Sequence, residues 1–272
     1  MSTSERLSAE RRAWLKRRRA ARMAVALTKA GLLLGLLLLW ETAANLGWID
    51  PFITSQPSRV ARSITRLYQS GELWRHLGIT TLEAVAGFVL GTLLGTLIAV
   101  LLWCSDFLCQ VLEPYLVVLN ALPKIALGPI FIVWIGAGPL SIIVIALSIS
   151  LVVSILEVLG GFLATDAEMI QLVRSFGAGR WQILRRVVLP ANVSTIISSL
   201  KINVGMSWVG VIVGEFLISK AGLGYLIVYG SQVFQLDLVM ASVVILSLIA
   251  TLMFLCIQCL EQAISKRREH RP

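Results

Sequence analysis

The sequence predicts an all-α membrane protein with six transmembrane helices, on three observations. Apolar residues make up 57% of the 272 and charged residues only 14%, where soluble domains average about 25% charged. Six stretches are long enough to cross a bilayer, which takes about 20 apolar residues each. A polar, basic hairpin, TDAEMIQLVRSFGAGRWQILRRVVLP over residues 165–190, is set between two of them. It has to leave the lipid, because the hydrocarbon core tolerates no exposed loop. One membrane domain therefore covers residues 24–260, between basic tails at 1–23 and 261–272. No soluble domain of useful size remains.

The spans are placed near 24–46, 79–102, 112–135, 139–163, 191–217 and 237–260. Their orientation follows from charge. The first tail carries Arg6, Arg11, Arg12, Lys16, Arg17, Arg18, Arg19 and Arg22, and the last carries Lys266, Arg267, Arg268 and Arg271. The positive-inside rule puts both in the cytoplasm, as an even number of spans requires. The net charge of +9 is mostly this anchoring; anionic headgroups explain it better than nucleic acid does. A secretory signal fits poorly, since the basic region is too long and five more spans follow Leu32–Leu39. In the first outside loop Val60, Ile64, Leu67 and Tyr68 share a face, which predicts an amphipathic helix flat at the interface.

Within the spans, Gly87, Gly91 and Gly95 form a ladder of small residues for close helix packing, inside the fold or at a homodimer seam. Ionisable residues at membrane depth call for a role. Lys29, Glu41, Glu83, Glu113 and Glu157 lie toward span ends, within reach of headgroups. Asn120 and Lys124 flank Pro123, which breaks the third span and frees backbone groups. Lys201, Trp208 and Glu215 recur at seven-residue spacing on the fifth. With roughly 21 Å between them, Lys201 and Glu215 cannot pair. That stripe either lines a path or forms a helix contact. Cys256 and Cys259 have a redox or metal spacing but sit at the end of a span; with Cys104 and Cys109 they imply neither a disulfide framework nor a zinc site.

The hairpin has a pattern of its own. Thr165 and Glu168 fit a capping box. Met169, Leu172, Val173 and Phe176 then make one apolar helical face, and Gly177 suits the left-handed residue that ends it. A second short helix puts Trp181, Leu184 and Val188 on one face, and Pro190 opens the next span. A short amphipathic helix presented to the cytoplasm is a surface for another protein.

This stretch resembles the EAA loop of ABC-importer inner-membrane permeases, most nearly those of the nitrate, sulfonate and taurine group. Gln171-Leu172-Val173 stand where EAA is usual, Gly177 matches the family's Gly, and Val187, Leu189 and Pro190 match Ile-x-Leu-Pro at the family's spacing. The acidic residue of EAA is missing, and Glu168 stands one turn earlier. The resemblance implies a type I permease fold with a cytoplasmic coupling helix in the loop at 164–190, where Asp166, Glu168, Gln171, Leu172, Arg174, Phe176, Gly177, Arg180, Leu189 and Pro190 serve coupling. It implies a periplasmic turn at Gly222 and Gly224, after Glu215 and before the apolar, aromatic Tyr225–Tyr229; the polar residues at membrane depth, Asn120, Lys124, Lys201, Trp208 and Glu215, are the candidates for a translocation path.

The implied partners are separate ABC ATPase subunits, a periplasmic or lipid-anchored solute-binding protein, a second permease copy and membrane lipid, in a bacterial inner membrane. The solute would be a small anion or sulfonate-like compound, although relatives carry heterocyclic vitamin precursors. No lysine follows a glycine, so the chain has no P-loop. ATP and Mg would belong to the partner, and this chain is expected to hold no cofactor, metal or catalytic site. A secondary transporter or channel subunit is the other class. It would need no cytosolic hairpin and would show an inverted repeat or a filter.

Overall fold

Long apolar runs broken only by Gly, Pro and short polar turns wind into helices, the one spanning structure that satisfies a single strand's backbone in lipid. The structure, a computed structural model, describes residues 3–269, and no strand occurs among them. They divide into two units at Ser63–Ile64.

In the first unit, α1 (Thr3–Asn45) is one continuous helix. Its Trp14–Asn45 part contains a window apolar enough to cross a membrane. Ala, Leu, Arg and Lys are all strong helix formers, and no Gly or Pro interrupts the basic segment. Asp50 caps α2 (Pro51–Thr54) by accepting from the Phe52 N–H at 2.8 Å. Glu41, expected to reach headgroups, instead accepts from the Ser58 N–H (3.0 Å) in the first turn of α3 (Pro57–Gln69) and from Gln56 Nε2 (3.2 Å). A carboxylate there meets the positive end of the helix.

The second unit contains α4 (Glu72–Cys104), α5 (Asp106–Ala121), a tight turn at Lys124–Leu127, α6 (Gly128–Ile135) and α7 (Pro139–Leu163). The hairpin follows as α8 (Ala167–Ser175), α9 (Arg180–Ile183), a wide π-type turn at Leu184–Val188 and α10 (Leu189–Ala191). Then come α11 (Val193–Ile218), α12 (Leu223–Gln232) and α13 (Leu236–Glu269). Five of the described helices are each long and apolar enough to cross a membrane. Counted as one broken span, α5 and the 124–135 half, bent by 86° where Pro123 stops the helix, make the sixth. Arg271 and His270 lie outside the described residues.

The core is a trio, α4, α7 and α11. The glycine ladder faces α7, inside the fold: a Cβ on Gly91 would run into Ser150, and one on Gly95 into Ser154. Such close approach is what packs helices where lipid removes the hydrophobic drive. Buried polar rungs tie the trio together. Asn203 Nδ2 donates to Ser154 Oγ, and Ser207 Oγ donates to the Ala84 carbonyl at 2.6 Å. Ile202, Val209 and Phe216 form the exposed, lipid-compatible stripe of α11. The amphipathic α3 departs from expectation. Ile64 and Leu67 pack with Leu73, Leu223, Leu226 and Ile245 in a core cluster, leaving Tyr68 exposed beside Trp74. Protein, not headgroup, covers that part of its apolar face.

Candidate functional site

Two constructions stand out, one in the hairpin and one at the far end of α11. In the hairpin, Asp166 is the residue that caps α8, accepting from the Glu168 N–H at 2.9 Å. This corrects the capping box expected of Thr165 and Glu168. The Thr165 amide still bonds to the Phe162 carbonyl in the last turn of α7, so Thr165 cannot also open the next helix. Its hydroxyl instead accepts from Asn192 Nδ2 at 2.7 Å, joining the two ends of the loop. Gly177 ends α8 at φ +80, with its N–H on the Arg174 carbonyl at 2.9 Å.

The apolar faces expected of the two short helices are each divided. Val173 and Ile170 turn inward against a cluster that includes Phe162, Ile183 and Leu184. Met169, Leu172 and Phe176 point away from the fold, Phe176 with 81% of its surface open. In the second helix Leu184 and Val188 are buried with Ile183 and Val187, while Trp181 is exposed. Trp181 belongs to the first turn of α9, before the chain enters the core. The result is a patch of large apolar side chains on a polar loop, with Glu168 and Gln171 exposed beside it.

Arg180 pins this loop. Its guanidinium pairs with Asp106, and Nη1 donates to the Cys104 carbonyl at 2.9 Å, across the turn between α4 and α5. The sequence does not single out Asp106, and it offers Cys104 only as one of four cysteines. The one local signal is Ser105-Asp106 after a long apolar run, where Ser105 caps α5 by accepting from the Leu108 N–H. A cavity of about 290 Å³ lies under α8, lined by Trp103, Asp106, Phe162, Gln171, Arg174 and Arg180. Leu189 and Pro190 lie in α10, on the way into α11.

At the far end of α11, Glu215 is buried and accepts from Thr80 Oγ1 (2.6 Å) and the Gly224 N–H (2.5 Å). The other free amides that open α12 are taken by α4: Leu223 N–H by Thr80 Oγ1 (2.8 Å) and Gly222 N–H by His76 Nδ1 (2.9 Å). The His76 ring stacks on Tyr225 at 6.1 Å. Gly222 has φ +118, and a Cβ on Gly222 or Gly224 would strike the Glu215 carboxylate. Glu83, on α4, lies near Glu215. It is only 2% exposed, so it does not reach headgroups, and its Oε2 has no partner.

The stripe of Lys201, Trp208 and Glu215 is not gathered into one space. Lys201 pairs with Glu261 of α13. Trp208 packs among Ala84, Phe88, Ile142 and Ala146. The Glu215 end adjoins, through the neighbouring Glu83, a cavity also lined by Ile142, Ile218 and Lys220. At the break in the third span, Lys124 Nζ donates to Asn120 Oδ1 (3.1 Å) and its carbonyl (3.3 Å), so those two residues answer one another. Cys256 and Cys259 are free and exposed.

A helical membrane bundle that holds out a pinned, apolar-faced loop has the build of a transporter's membrane subunit. Residues 88–270 match the binding-protein-dependent transport system inner membrane component family, and the chain belongs to that family, the permease subunits of ABC importers. It is 33% identical over 240 residues to a Haemophilus influenzae protein named as an ABC transporter permease, covering 88% of this chain and 97% of that one. A Bacillus subtilis permease named for aliphatic sulfonate transport is 30% identical over 231 residues, 85% and 83% of the two chains. The fold is that of a bacterial ABC transporter involved in the import of the acidic polysaccharide alginate, with TM-score 0.62, 16% identity, and 93% and 99% of the two chains covered.

Proposed function

We propose that this chain forms the translocation path of an ATP-driven importer and takes its power from separate ATPase subunits that grip the hairpin. The observation that carries this reading is the open apolar face of Met169, Leu172 and Phe176 on a loop fastened at Arg180 and Asn192. Large apolar groups gathered on a polar loop mark a protein contact. A loop tied to α4, α5, α7 and α11 passes a push on α8 into the helices that surround the path. ATP and Mg sit on the partner, since this chain has no P-loop and brings no cofactor of its own.

Both tails and the hairpin face the cytoplasm, where Arg174, Arg180, Arg185 and Arg186 belong. The chain works as a homodimer, the two copies enclosing a path that one copy's α11 does not by itself enclose. A periplasmic or lipid-anchored binding protein delivers the solute to the other side, near the Gly222–Gly224 turn. The solute is a small anion or sulfonate-like compound, a reading supported by the sulfonate-named Bacillus relative.

The test is reconstitution with a cognate ABC ATPase subunit. Phe176→Asp is expected to leave the permease inserted while removing co-purification and ATPase stimulation. Full stimulation by that variant would remove the docking role, and uptake into liposomes by this chain alone without ATP would favour a secondary carrier.

A further inference from the structure

We infer that the cavity under α8 holds the headgroup of an anionic phospholipid, its phosphodiester met by Arg174 and by the pinned Arg180. The site is separate from the exposed face of Met169, Leu172 and Phe176. It rests on the transport reading above only for which leaflet supplies the lipid.

Depth is the first observation. Trp103 and Leu163 line the cavity and stand in the last turns of α4 and α7, two helices long and apolar enough to cross a membrane. Where such spans end, hydrocarbon gives way to headgroups, and Trp is enriched at that boundary. Leu163 is 51% exposed, and Phe107 and Leu108, which follow Asp106, are exposed as well. An acyl chain has an apolar flank by which to leave the cavity.

Charge is the second. Arg180 and Asp106 neutralise one another at the cavity wall. Arg174 lines the same space and takes part in neither of the ion pairs found among the described residues. The cavity therefore presents one unanswered positive charge, and a phosphodiester carries one negative charge. A phosphate monoester would bring nearly two. Donors are at hand. Arg180 gives Nη1 to the Cys104 carbonyl and Nη2 to Asp106, and a guanidinium has five N–H groups to give. Gln171 adds its amide. Guanidinium and phosphate match in geometry and form charge-assisted bonds.

The phosphate belongs to a lipid and not to a free ion. Arg174 is exposed, and pairs between exposed charges in water are worth little. A lipid's chains fix its phosphate at this depth, so the guanidinium meets it at high local concentration. The apolar lining of Phe162 and Ile170 gives inorganic phosphate nothing, yet it covers a glycerol backbone. At about 290 Å³ the space takes a headgroup and leaves the chains outside. Basic pockets between membrane helices hold anionic headgroups by the same chemistry.

The full-length permease, delipidated in detergent and without ATPase, would be titrated with phosphatidylglycerol or with phosphatidylcholine of the same chains, whose choline cancels the phosphate charge. Bound lipid would be counted by native mass spectrometry. Phosphatidylglycerol should be retained where phosphatidylcholine is stripped. Arg174→Gln should weaken that retention about tenfold, the worth of one charge-assisted hydrogen bond. Arg185→Gln removes an equal charge from the same loop but outside the cavity lining, and should change it little. Millimolar inorganic phosphate should not displace the lipid. Equal retention of the two lipids, equal loss in the two arginine variants, or displacement by inorganic phosphate would each overturn the proposal. The lipid comparison uses wild-type protein, so a misfolded variant does not shield the idea. Because no ATPase is present, failure of the coupling assay with Phe176→Asp leaves this result readable, and the reverse holds too.

Discussion

Gly177 and Gly222 are the two residues whose backbone decides the most. Both have positive φ, +80 and +118, a region where a β-branched residue is an outlier. Open space surrounds Gly177, so a side chain there meets backbone strain alone, of order 1–3 kcal/mol. Gly177→Val should therefore alter the end of α8 without unfolding the bundle. Normal elution and melting with reduced ATPase stimulation is the expected result, and unaltered stimulation would place the turn outside coupling. Gly222→Ala is the opposite case, since its Cβ strikes the Glu215 carboxylate. The strain adds to loss of the Thr80, Gly224 and Glu215 bonds, and a clear drop in melting temperature in detergent is expected. Glu168→Gln keeps the Asp166 cap, whose donor is the Glu168 backbone N–H and not its side chain. A loss of transport in that variant would therefore report the charge; full transport would leave Glu168 no role in docking.

At the scale of elements, the hairpin is held by contacts that the sequence announces very unequally. The turn at Gly177 and the apolar spacing of α8 are local, so periodicity finds them. Which of those apolar residues stay exposed is not local. Val173 and Phe176 obey the same spacing, yet one packs against the cluster of Ile183 and Leu184 while the other stays largely open. Arg180 and Asp106 lie 74 positions apart, and Thr80 and Glu215 lie 135 apart. No window along the chain contains either pair. Thr165 shows the third kind of gap: the motif is present, but the preceding helix runs one residue too far for it to act. The Arg180–Asp106 pair is largely open to solvent, where such pairs contribute about 0–1 kcal/mol. Asp106→Ala should barely move global stability but should raise amide exchange across residues 165–190 and weaken coupling. An unchanged exchange pattern would show that Asn192 and the Ile183–Val188 core hold the loop without it.

For the whole molecule, the six crossings follow from hydropathy, and the bend at Pro123 from one residue that cannot continue a helix. The packing order of the crossings is set by small residues that hydropathy ignores. Gly91 and Gly95 bring α4 onto Ser150 and Ser154 of α7, and Asn203 completes the contact from α11. Gly95→Leu should force α4 and α7 apart and yield aggregated or degraded protein, judged by size-exclusion profile. Asn203→Ala removes two interhelical bonds, to Ser154 and, at 3.5 Å, to Thr92, each worth about 0.6 kcal/mol in comparable helices, and should be tolerated. A severe defect in Asn203→Ala alongside a mild one in Gly95→Leu would reverse that ranking. The Lys201–Glu261 pair makes a similar point: a charge that reads as a candidate for the path finds its counterpart sixty positions later, on the last helix.

The bonds that open α12 also impose a sequence of events on synthesis. During translation α4 enters the bilayer long before Glu215 exists, so Glu83, Thr80 and His76 arrive with their eventual neighbours still in the ribosome. Until α11 and the Gly222–Gly224 turn follow, a half-made chain displays an acid and two further polar groups to lipid or to the insertion machinery. Each nascent permease thus carries a chemical mark of incompleteness that only the final third of the protein erases. A membrane protease that recognises polar groups within a helix would have, in that interval, a means of telling an abandoned chain from a finished one.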